Sequence, residues 1–131
     1  DFQTLLTSPA VGAVLATSTS AFSVREALEF LKILYARGLH VDSVVLNRVL
    51  PPFPAPPADE ALHGLLAPDE LGRVKAAYAG LQAQGEQAVQ ATRALASASP
   101  TVPLWLLPQR EPPPTALTDL QELVSQMVRF G

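Results

Sequence analysis

Apolar positions along the chain follow two periods. Short unbroken apolar runs alternate with longer segments in which apolar residues recur every three or four positions. The first two runs are Val11 to Thr17 (VGAVLAT) and Asp42 to Val49 (DSVVLNRV). Val44, Val45 and Leu46 are β-branched or bulky and uninterrupted, the pattern of a strand covered on both faces in a parallel sheet. Between the runs, Val24, Ala27, Leu28, Leu31 and Leu34 fall on one stripe at helical spacing. Ser23 with Glu26 predicts a capping box at the helix start. Gly38, a residue suited to positive φ, predicts its stop after Arg37. Strand, helix and strand with short links predict a βαβ unit with parallel strands and a right-handed crossover. Asp1 to Pro9 reads as a lead-in, the last turn of a preceding helix.

Pro51 to Pro57 (PPFPAPP) is a stiff spacer that favours an extended polyproline conformation. Ala58 to Leu66 has the length for two helical turns. Pro68 fits the first turn of a longer helix reaching Ala98, because its missing amide would be unpaired there. Leu71, Val74, Tyr78, Leu81, Ala88 and Leu95 give that helix a narrow apolar seam. Gly80 and Gly85 each cost it about 1 kcal/mol relative to Ala, with a weak point near Gly85. Val102 to Leu107 (VPLWLL) predicts a third strand, with Pro103 near its start or on an edge. Pro108 to Pro114 predicts a rigid loop. Thr115 to Phe130 predicts a final helix with Thr118 and Gln121 as its capping box and Leu117, Leu120, Val124 and Met127 facing inward. The expected architecture is α/β in three layers: a small parallel sheet of about three strands flanked by helices, plus a helical excursion. All of it forms one domain, with the βαβ unit at 1–50, the spacer and excursion at 51–100, and the last strand and helix at 101–131. So small a sheet predicts that further sequence belongs with it and that one edge normally pairs with another strand. The chain opens on Asp1 rather than Met, and it is expected to be a piece of a longer protein.

Composition narrows the function classes. The chain has 131 residues, 48% hydrophobic and 16% charged, with a net charge of −3. An acidic balance argues against a nucleic-acid surface, which needs a basic face. There is no cysteine, which excludes thiol nucleophiles and cysteine zinc sites and fits a reducing cytoplasm. No apolar run has the length to cross a bilayer, and no signal peptide is visible. Neither G-x-x-x-x-G-K-[ST] nor G-x-G-x-x-G occurs, nor do G-x-S-x-G and H-E-x-x-H. His40 and His63 lack metal-ligand spacing and read as surface or loop residues. Ser18-Thr19-Ser20 reads as a turn feeding a helix cap, and Trp105 as core. Asn47 has two readings. At the carboxyl end of a parallel strand, the edge where ligands bind, its amide offers one acceptor and two donors to a purine edge. Alternatively, it caps the following turn.

The run S-V-R-E-A-L-E-F-L-x-x-L-x-x-R-G-L, from Ser23, followed by V-V-L-N-R-V-L-P, from Val44 to Pro51, resembles the C-terminal part of the anion-transporting ATPases. These are the ArsA-like proteins, which include the tail-anchored-protein targeting ATPases. Val102 to Pro108 (VPLWLLP) and the helix Leu117 to Phe130 match that family's order, so the resemblance covers nearly the whole chain. It implies a P-loop ATPase that binds ATP and Mg²⁺ at a homodimer interface and couples hydrolysis to a conformational change. It further implies a cytoplasmic protein that serves an anion or a membrane-protein cargo. Under the resemblance Asn47, with Arg48 beside it, contacts the adenine, and Pro108, Gln109 and Arg110 lie near the base. The catalytic phosphate loop, its lysine, the magnesium-binding aspartates and the switch segment would lie upstream. Two positions depart from the family pattern. Ser20 stands where the targeting ATPases carry an acidic residue, and Pro114-Thr115 replaces an Arg-Gly before the final helix. The competing expectation is a non-catalytic protein-interaction module whose working surface is the Ala/Gln-rich helix and proline spacers. An unrelated doubly wound nucleotide-binding domain is a third.

Overall fold

The structure is a computed structural model describing residues 1–51 and 54–131. Its elements run α1 (Phe2–Leu6), β1 (Ala13–Ser18), α2 (Ala21–Ala36), β2 (Val41–Val49), α3 (Asp59–His63), α4 (Pro68–Ala98), β3 (Leu104–Pro108), α5 (Leu117–Ser125) and β4 (Val128–Phe130). They build an open four-stranded sheet of order β1-β2-β3-β4. β1 with β2, and β2 with β3, are parallel; β4 returns antiparallel to β3. Pro52 and Phe53 of the expected polyproline spacer lie outside the described residues.

The expected βαβ unit is present. Gly38 takes φ 70° at the end of α2, the left-handed conformation that stops a helix. The stripe Val24, Ala27, Leu31 and Leu34 is buried. The cap differs from expectation. Ser20, not Ser23, is the N-cap, and its Oγ accepts the Ser23 backbone N–H at 3.1 Å. Three hydroxyl residues precede the helix, and Ala21 and Phe22 join its first turn, which moves the cap back to Ser20.

α4 spans Pro68–Ala98 as the spacing predicts, with Pro in the first turn. Glu70 Oε2 accepts the Ala67 N–H at 3.1 Å, closing the start of the helix. Leu71, Ala88 and Leu95 of the seam are buried. The Tyr35 and Ser99 hydroxyls hydrogen-bond at 2.7 Å, joining the end of α2 to the end of α4.

The core gathers on one side of the sheet. Leu15, Val44 and Leu104 are paired across β1, β2 and β3, as are Thr17, Leu46 and Leu106. Val44, Leu46 and Leu104 are buried with Leu31, Ala91 and Leu95 from α2 and α4. The next register row is Ala16, Val45, Trp105 and Arg129, which alternation places on the opposite face. That face is less covered: Val14 is 64% exposed, and Val45 and Trp105 are half-buried. Continuous apolar character in β2 therefore overstated its cover, and Trp105 is only partly core. A helix follows each of β1 and β2 with the same handedness, so both crossover helices fall on one side.

The final helix is shorter than expected. It stops at Ser125, and Val128 to Phe130 forms β4 against Leu104 to Leu106. Backbone pairing along the margin of β3 outweighs one more helical turn there. The small sheet thus has four strands rather than three and is only mostly parallel. The expected inward face of α5 is also corrected. Leu123 is buried and Met127 half-buried, whereas Leu117, Leu120 and Val124 are 72%, 48% and 58% exposed. The Thr118–Gln121 box is replaced by Asp119, whose Oδ2 accepts the Thr115 and Ala116 N–H groups at 3.0 and 3.1 Å.

Candidate functional site

β2 ends in a distortion. Ser18 is the β1 partner of Asn47, but the register of β2 against β3 slips between Leu46 and Val49. Arg48, inside the slip, has φ 57°, a left-handed conformation that few non-glycine residues adopt. Asn47 Oδ1 accepts the Arg48 N–H at 2.8 Å, which steadies this turn and lays the amide along the rim. The local cap read for Asn47 is therefore made. It does not exhaust the side chain: a carbonyl oxygen has a second lone pair, and among the described residues Nδ2 has no partner. Both Asn47 and Arg48 are exposed.

The loop after β3 comes to the same rim. Val49 pairs with Pro108, and the Gln109 N–H donates to the Val49 carbonyl at 3.0 Å. Parallel pairing puts the carboxyl ends of β2 and β3 at one edge of the sheet, so Asn47, Arg48, Pro108 and Gln109 are neighbours there. Gln109 is exposed, and its Nε2 donates to Glu111 Oε1 at 3.2 Å.

Arg110 turns toward α5 instead of the rim. Its Nη1 donates to the Asp119 carbonyl and to Glu122 Oε2, both at 3.0 Å, and its Nη2 to Asp119 Oδ1 at 3.1 Å. Asp119 thus accepts N–H groups of Thr115 and Ala116 as well as the guanidinium. The two backbone N–H groups, followed by the Arg110 charge, hold its carboxyl below the ordinary carboxylate value.

A groove of about 870 Å³ lies between α4 and the β2–β4 side of the sheet. Val49, Leu50, Val89, Leu106 and Phe130 give it apolar walls, and Glu86 and Arg93 add charge. It shares the Val49–Leu50 corner with the rim, but Asn47, Arg48, Pro108, Gln109 and Arg110 are not among its lining residues. The sequence pattern does not reveal it, because Phe130 reads there as the end of a helix; the alternation Val128-Arg129-Phe130 is the available signal.

His40 Nε2 lies 2.9 Å from Asp42 Oδ1, at the amino end of β2, away from the rim. Among the described residues no group of three or more His, Cys, Asp or Glu side chains is placed to hold a metal ion. None of the described helices is long and apolar enough to cross a membrane. The chain matches no known protein-family model and no curated protein sequence.

Proposed function

We propose that this chain is the C-terminal segment of an ArsA-like anion-transporting ATPase, supplying the adenine-side wall of the ATP site and part of a helical subdomain. The observation that carries the reading is Asn47. It is an exposed amide at the carboxyl end of a central parallel strand, held by the Arg48 N–H and free at Nδ2 among the described residues. Adenine presents a donor beside a ring acceptor, and an amide with one open lone pair and free N–H groups complements that pattern. Pro108 and Gln109, at the end of the neighbouring strand, lie on the same rim.

The reading places the phosphate loop, its lysine and the Mg²⁺ ligands in upstream sequence, so the segment alone binds no phosphate and hydrolyses nothing. ATP supplies the phosphoryl group whose transfer to water drives the parent enzyme's conformational change. That parent works as a cytoplasmic homodimer acting on an anion or a membrane-protein cargo. Two structural facts agree with further sequence alongside: among the described residues nothing pairs with the outer side of β1, and one sheet face is thinly covered. Parallel sheets ordinarily carry cover on both faces.

The test is Asn47→Ala in the protein as its gene encodes it. ATP binding, measured by titration calorimetry, should weaken by about 1–3 kcal/mol, the effect of leaving a buried polar edge unpaired. A gene without an upstream Gly-Lys-Ser/Thr loop sinks the reading, and an unchanged affinity removes the base contact from Asn47. A second reading, a non-catalytic α/β protein-interaction module, draws on the exposed Leu117, Leu120 and Val124 of α5 and requires no nucleotide binding at all.

A further inference from the structure

The guanidinium of Arg110 is the most heavily engaged cation among the described residues. It bridges the loop after β3 to two successive turns of α5 through one carbonyl and two carboxylates. Its side chain is 24% exposed and that of Asp119 is 27% exposed, so the pair is sheltered, whereas Glu122 at 61% forms an open outer arm. Asp119 simultaneously collects the Thr115 and Ala116 N–H groups at the start of α5. On the other side of Arg110, the Gln109 N–H is committed to the Val49 carbonyl. Hydrogen bonds thus tie α5 to the Arg110 side chain, the backbone joins Arg110 to Gln109, and the Gln109 N–H ties the loop to the strand end that bears Asn47.

We propose that Arg110 is a positioning residue: it clamps the loop after β3 to α5 and thereby fixes Pro108 and Gln109, tied to Val49, at the base-recognition rim that carries Asn47, without touching the base itself. The proposal rests on the reading of that rim as an adenine site. Geometry gives the reason for Arg at this place. A planar fork can serve a carbonyl and a carboxylate with one nitrogen and a second carboxylate oxygen with the other, which a lysine cannot do. A base contact would require the guanidinium to abandon three acceptors.

The experiment compares Arg110→Lys, Arg110→Ala, Asp119→Asn and Asn47→Ala in the protein as its gene encodes it. Three readouts are taken: Kd for ATP, Kd for inorganic triphosphate, and hydrogen exchange at the Gln109 amide. Arg110→Ala and Asp119→Asn should each raise the Kd for ATP by roughly tenfold and speed exchange at Gln109. The double variant should be no worse than either single change, because both break one network. Arg110→Lys keeps the charge, removes the fork, and should behave like Arg110→Ala. Triphosphate affinity should not move, since the phosphates lie away from the base. Unchanged exchange at Gln109 in Arg110→Ala overturns the clamp. Weakening of ATP and triphosphate alike also overturns it, as general loss of structure. If Asn47→Ala leaves ATP affinity intact while the Arg110 variants lose it selectively, the clamp stands and the Asn47 contact falls. If no variant alters ATP binding, or ATP does not bind, both fall.

Discussion

Leu46 and Asn47 are adjacent and have opposite fates. Leu46 has 0% exposure in the core, and Asn47 emerges at the rim. That division was legible in the sequence, because an apolar run ending in a polar pair marks where a buried strand leaves its cover. The fate of Arg110 was not legible: sequence position puts it beside Gln109, and only the return of α5 supplies the carboxylates that turn it away. Asp119 is the key to that return, and it makes acid stability a test. Its carboxyl is held below the ordinary 3.8 by the Thr115 and Ala116 N–H groups and by Arg110, with Glu122 as the neighbouring acid across the guanidinium. A depressed folded value means that the ionised form stabilises the fold at pH above the unfolded value, about 4. The contribution disappears as pH falls from there through the folded value. Urea unfolding followed across acid pH should therefore show Asp119→Asn to be less stable than the parent at neutral pH, with the difference closing below about pH 4. Parallel curves over that range would contradict the assignment.

α4 was the most legible element, since Pro68 and the seam agree on its course. Its glycines are open to improvement. A Cβ built at Gly80 meets nothing within 4 Å, and the position is exposed. Gly80→Ala should stabilise the protein by about 0.5–1 kcal/mol, read as a rise in denaturation midpoint with the slope unchanged. A fall would mean that the backbone there needs glycine for a reason other than space. α5 was the least legible element. Its apolar residues keep helical spacing, which fixes a stripe but not what meets it. Leu123 went inward and Leu117, Leu120 and Val124 outward, because α5 packs chiefly over β3, near one side of the sheet. Its end was misplaced for a related reason. Val128, Arg129 and Phe130 suit either a last helical turn or a strand, and the unpaired side of β3 settled the choice in favour of pairing.

At the scale of the molecule, the α/β order and the parallel βαβ unit followed from alternating periods, but the distribution of cover between the two sheet faces did not. β2 reads as a strand buried on both faces, yet both crossover helices lie on one side. Local pattern reports how apolar a strand is, not which layers the chain provides to cover it. The thinly covered face and the rim bearing Asn47 belong to the same side by alternation from Val45. The outer side of β1 has a separate consequence. Ala13 to Ser18 contains no charge and no proline, the devices that usually keep exposed strands from recruiting one another. In solution the chain should behave as a sticky ribbon end: dispersed when dilute, and building end-on stacks as concentration rises, visible by light scattering. Val14→Lys, at a position already 64% open to water, should keep such a preparation dispersed while leaving its melting temperature nearly unchanged. A single gatekeeping charge on this outer strand is then enough to keep copies of the chain apart.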